Sequence, residues 1–96
     1  MKFITKSIEL NFKEWFDKKN GNSYFSGTIN IDNKETIKVP FQYGYNNAYL
    51  HESRAILHEH NYISCEFTET IKQFCQRNNI NYIETFKVGC KKNELK

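Results

Sequence analysis

One proline, four glycines and three cysteines are all that this 96-residue chain holds of the residues that kink, loosen or staple a backbone. So little Pro and Gly, beside 39% hydrophobic residues, argues against a disordered chain. The odd set Cys65, Cys75 and Cys90, without paired spacing, suits reduced thiols in a cytosol. No apolar run approaches the ~18 residues of a membrane helix. Met1-Lys2-Phe3-Ile4-Thr5 turns polar too soon for a signal peptide. Linkers, repeats and low-complexity tracts are also missing, so residues 1–96 are expected to form one domain. A chain of this length buries roughly 65% of its unfolded surface.

Charge of one sign is scarce too. The net charge is +3, with the excess at the two ends. Residues 1–20 carry five Lys against three acids, and the segment from Lys87 carries four Lys against Glu94. That balance permits an anionic partner without demanding one.

Aromatic residues are plentiful: eight Phe, six Tyr and Trp15. They fall into alternating runs. In residues 2–16, Ile4, Ile8, Leu10, Phe12 and Phe16 share one face, and Lys13 and Trp15 lie on the other. In 23–31, Phe25, Gly27, Ile29 and Ile31 point inward and Tyr24, Ser26 and Thr28 outward. A two-residue loop at Asn20-Gly21 would set Phe16 against Phe25, Phe12 against Ile29 and Leu10 against Ile31. Residues 12–18 also fit a helical stripe, but that pairing works only if they are extended. Gly27 marks a bulge or a close packing contact.

A third strand over 35–43 puts Ile37, Val39, Phe41 and Tyr43 inward. A three-residue loop, Asp32-Asn33-Lys34, keeps the faces matched and opposes Phe25 to Phe41. Pro40 cannot donate to a ladder and predicts a sheet edge. After Gly44, Asn46 or Asn47 caps a helix to about His60, with Tyr49, Ile56, Leu57, Ala48 and Ala55 on its apolar stripe. A second helix over 66–77 carries Phe67, Ile71, Phe74 and Cys75, with Ser64 or Thr68 as cap and Asn78-Asn79 as its end. The run 80–88 reads as a fourth strand, its apolar face interrupted by Glu84. The expected fold is α+β and two-layered: an antiparallel sheet in β-β-β-α-α-β order with the helices on one face.

Sets that carry chemistry are sparse. His58-Glu59-His60 followed by Cys65 resembles part of a metal site, but residues two apart on a helix point in different directions. His51 and His58 stand about 10 Å apart along a helix, too far to share one zinc. There is no Gly-x-Ser-x-Gly elbow, no Gly-rich phosphate loop and no motif around any cysteine. No cofactor, metal or enzymatic activity is expected.

Two contact surfaces remain. Trp15, Tyr24, Tyr43, Tyr45 and Tyr49 are residue types enriched at the centres of protein interfaces. Lys13 and Lys38 on the wet sheet face, with Lys91 and Lys92 in the tail, could hold phosphates beside the Trp15/Tyr24 pair, which is the chemistry of RNA or single-stranded nucleic-acid binding.

Trp15-Phe16, Gly21-Asn22-Ser23-Tyr24, Val39-Pro40-Phe41-Gln42-Tyr43-Gly44-Tyr45, Tyr49 and the tail Lys91-Lys92-Asn93-Glu94-Leu95 resemble a family of small proteins encoded by phages and prophages. Two departures stand out: Phe25 where members tend to have His after the Tyr, and Asn46-Asn47 in place of a Gly. The resemblance implies a non-enzymatic accessory protein of the bacterial host cytosol that binds a host protein or protein–RNA complex. Inhibition of a defence effector, such as a restriction or CRISPR complex, is one such task.

Overall fold

A computed structural model describes residues 5–66 and 68–95. Ile4 and Phe67, both assigned to apolar stripes, lie outside the described residues. The elements are β1 (Ser7–Asp17), β2 (Asn22–Ile31), β3 (Glu35–Tyr43), α1 (Ala48–Glu59), α2 (Ile71–Arg77), β4 (Asn81–Lys87) and a 3₁₀ turn (Lys92–Glu94). The fold is α+β, with two helices and a four-stranded sheet in the order β3-β2-β1-β4.

The first hairpin keeps the expected faces but not the expected pairing. Four residues, 18–21, separate the paired Asp17 and Asn22. The Asp17 carboxylate accepts the Lys19 N–H at 3.1 Å and the Asn20 side-chain amide at 2.8 Å, while the Gly21 N–H donates to the Asp17 carbonyl at 2.7 Å. This closes a wider turn than Asn20-Gly21 alone. The register therefore slips by two: Phe12 faces Gly27, Leu10 faces Ile29 and Phe16 faces Ser23. An even slip leaves every side chain on its face. Phe16 is nonetheless 48% exposed, because the inward position before it is Glu14 and the apolar face ends at Phe12.

The second hairpin has the three-residue loop, with Ile31 opposite Glu35 and Gly27 opposite Val39. Asp32 and Asn33 both take positive φ there, at 54° and 56°. Beyond Val39 the register shifts, so that Pro40 and Phe41 together oppose Ser26 and Phe25 pairs with Gln42. The bulge falls on the edge strand at the residue that lacks an N–H. It corrects the expected facing of Phe41 and Tyr43: Tyr43 lies opposite Tyr24, and Phe41 stacks on Tyr24, both on the outer face.

The sheet is mixed rather than antiparallel. β4 pairs parallel with β1, Ser7 with Asn81 through Lys13 with Lys87. β1 and β3 run the same way, since both are antiparallel to β2. The helices return the chain to the end where β1 begins, and β4 then runs alongside β1.

Inside lies one core, built by Ile8, Leu10, Phe12, Phe25, Ile29, Ile31 and Val39 from the sheet and Tyr49, Leu57, Ile71, Phe74 and Cys75 from the helices. Each large apolar side chain so buried stabilises the fold by about 1.5–3 kcal/mol. Ser53, not Ala55, completes the buried stripe of α1, and its hydroxyl donates to the Tyr49 carbonyl at 2.7 Å. Neither Asn46 nor Asn47 caps α1 through its side chain; Asn46 instead takes φ 57°. α2 starts later than expected. Thr70, not Ser64 or Thr68, caps it, in a reciprocal box with Gln73. Ahead of it the Glu69 N–H donates to the Glu66 carbonyl at 2.9 Å, and the carbonyls of Glu66 and Glu69 each accept from Arg54 at 3.0 Å. No described helix is long and apolar enough to cross a membrane.

Candidate functional site

The bulge and the hairpin register assemble an aromatic ladder on the outer face. Trp15, Tyr24 and Tyr43 stand opposite one another on β1, β2 and β3. Tyr24 stacks against Trp15 (centroids 5.4 Å, planes 25° apart) and against Phe41 (5.1 Å, 8°). Tyr43 meets Tyr24 edge-on at 5.7 Å and Tyr45 edge-on at 5.4 Å. The Tyr43 hydroxyl donates to the Tyr45 oxygen at 2.8 Å, and this bond raises the Tyr43 phenol above its ordinary pKa. Tyr43 is 54% and Tyr45 50% exposed, so the ladder ends in an open pair of amphipathic rings.

The chain's last turn lies on the same face. Lys92 Nζ sits 5.5 Å from the centre of the Trp15 ring, a cation–π contact. The Ser26 hydroxyl donates to the Leu95 carbonyl at 2.5 Å, and Leu95 is buried. The Glu94 carboxylate accepts the Lys91 N–H at 2.7 Å. That bond comes first among the causes that lower its pKa, with Lys87, Lys13 and Lys91 adding to it. Beside this turn runs a groove of about 800 Å³, lined by Lys13, Lys38 and Lys87.

The structure thus brings Trp15, Tyr24, Tyr43 and Tyr45 together and sets Tyr49 apart. Tyr49 is 6% exposed, stacked at 4.2 Å on Phe86, and donates its hydroxyl to Glu84 at 2.7 Å. Burial raises its pKa. It is a core residue, unavailable as a contact. Phe41 takes its place in the ladder, although alternation had put that ring inside. Of the lysines, Lys13 and Lys38 face the groove, Lys92 covers Trp15, and Lys87 is an addition that only the parallel pairing with Lys13 reveals.

Among the described residues no group of three His, Cys, Asp or Glu is placed to hold a metal. His58 Nε2 accepts the Cys65 N–H at 3.3 Å. Burial raises the Cys65 thiol and pushes Cys75 up to about 11, the reverse of what an attacking thiolate needs. Arg77 grips Glu69 through two bonds of 2.8 Å, and with the Glu66 N–H holds that carboxyl down at about 2. A depressed folded-state pKa gives stability that is full above the ordinary glutamate range and lost as pH falls toward 2. Urea midpoints measured between about pH 5 and pH 2 are therefore expected to fall less steeply in Glu69→Gln than in the wild type.

Fold and surface together define a small α+β chain with an aromatic, partly basic sheet face. Compared with protein-family models, with curated proteins and with solved structures, the chain finds no match.

Proposed function

We propose that this chain is a non-enzymatic, phage-type accessory protein that binds and modulates a host protein or protein–RNA complex in the bacterial cytosol, inhibition of a defence effector being the task in view. The observation that carries the reading is the half-exposed Tyr43–Tyr45 pair at the end of a rigid ladder. A base stacks on an open ring face. Here Tyr24 lies between Trp15 and Phe41, and Lys92 sits over Trp15, so the ladder presents ring edges and hydroxyls instead. Edges and hydroxyls on pre-ordered tyrosines suit a protein surface, where Tyr and Trp supply contact area at little entropic cost.

Tyr43→Ala/Tyr45→Ala is the test. A host protein captured by the wild type is identified and purified, and its affinity for both forms is measured by calorimetry. Loss of a central tyrosine typically costs about 2 kcal/mol, so binding is expected to weaken about 30-fold or more. The circular dichroism spectrum is expected to stay unchanged, since both rings lie outside the core. Equal affinity of the two forms overturns the reading.

A further inference from the structure

The outer groove collects positive charge from three strands. Lys13 on β1 is paired directly with Lys87 on β4, and Lys38 on β3 faces the same hollow. Like charges directly opposite in a sheet repel. Among the described residues no carboxylate stands within ion-pair distance of any of the three. Glu94, delivered by the terminal turn, also lines the groove. Its carboxyl is lowered in part by Lys87 and Lys13, so these lysines already attract an anion placed in the groove.

Apolar surface adjoins the same hollow at the exposed Pro40 and the partly exposed Phe41. From β3 to β4 is three strand spacings, about 14 Å. Cations on three strands, the Thr28 hydroxyl paired beside Lys38, and an adjoining apolar wall match a chain that alternates phosphates with flat bases. An acidic peptide would use the lysines but has no systematic use for the wall.

We infer that this groove binds the sugar–phosphate backbone of a single-stranded nucleic acid, with Lys13, Lys38 and Lys87 on the phosphates and Glu94 as the internal carboxylate that the ligand displaces. The site uses different residues from the tyrosine pair and does not rest on the protein-contact reading.

The probe is a fluorescein-labelled single-stranded 12-mer RNA, followed by anisotropy on the full chain. Binding is expected at about 50 mM salt. Three phosphate contacts predict a log–log salt slope of about −2, from ~0.7 per phosphate on a single strand. Lys13→Gln/Lys38→Gln/Lys87→Gln is expected to weaken binding at least 30-fold and flatten that slope. All three side chains are exposed, so this variant should keep the wild-type circular dichroism spectrum. Glu94→Gln is expected to tighten binding several-fold by removing the competing charge. Tyr43→Ala/Tyr45→Ala should bind the RNA like the wild type, which separates failure here from failure of the protein contact. The inference is overturned if the RNA does not bind at low salt or if the triple variant binds equally well. It is overturned equally if a duplex of the same length or a poly-glutamate peptide binds as tightly.

Discussion

Gly27→Ala is expected to destabilise the protein by about 3 kcal/mol, a large share of the ~5–14 kcal/mol that a domain of this size commands. Gly27 lies in the middle of β2, opposite Phe12 on β1 and Val39 on β3, next to the bulge. A methyl group there would collide with the Asn11 carbonyl oxygen and come within 2.6 Å of the Phe12 ring. The Asn11 carbonyl is backbone in a central strand, paired on both sides, and cannot move without disturbing its ladders. The Phe12 ring is buried against Phe25 and Tyr49 and cannot swing away. The strain therefore stays, and overpacked cores of this kind lose about 1–3 kcal/mol, more when backbone is involved. Thermal unfolding should shift down by roughly 12–24 °C, taking ~4–8 °C per kcal/mol. A shift of only a few degrees would mean that the ring does not lie over the glycine.

The same position shows how far the sequence can be read. Alternation in residues 2–16 and 23–31 tells which side chains face in, and the structure agrees for Ile8, Leu10, Phe12, Phe25, Ile29 and Ile31. It does not tell which residue faces which, because every even slip preserves the faces. The slip is decided by Asp17, whose side chain organises a wider turn than Asn20-Gly21 alone would make. The Gly27 signal was legible as a bulge or a close contact, and both stand there, but the partner, Phe12, was hidden by that slip.

At the site the division is similar. The pairing of Trp15 with Tyr24 was visible in the residue pattern and exists, the two standing directly opposite on β1 and β2. Phe41 was not visible as an outer residue. Strict alternation placed it inside, and only the bulge at Pro40, where the missing N–H makes a ladder position dispensable, turns it out. Tyr49 had two readings in the sequence, a helix stripe and a surface contact. The stripe prevails, since Tyr49, Ser53 and Leu57 repeat at four-residue steps and all are buried. The direction of β4 had no local signal at all. It depends on the path of the two helices across the sheet, and with it went the approach of Lys87 to Lys13.

Phe12→Ala should have the largest effect of any single change, about 3–5 kcal/mol, enough to leave the domain marginal at 25 °C. The ring is among the largest fully buried side chains and joins three layers of contact: Phe25 at 6.0 Å, Tyr49 at 5.3 Å and the strand backbone at Gly27. Its removal opens a cavity that the neighbours cannot fill. Tyr49 is tied to Phe86 by a 4.2 Å stack and to Glu84 by its hydroxyl, and Phe25 is held in the β2 ladder. Urea unfolding should show the midpoint falling with little change in slope. The decisive comparison is the double variant with Gly27→Ala. Without the ring, the added methyl keeps its collision with the Asn11 carbonyl but loses its collision with Phe12, and it fills part of the cavity. The two costs should therefore combine to less than their sum by 1 kcal/mol or more, as expected of residues in direct contact. Strict additivity would place the ring away from Gly27, and with it the register that sets Trp15 opposite Tyr24 on the other face of the same strands.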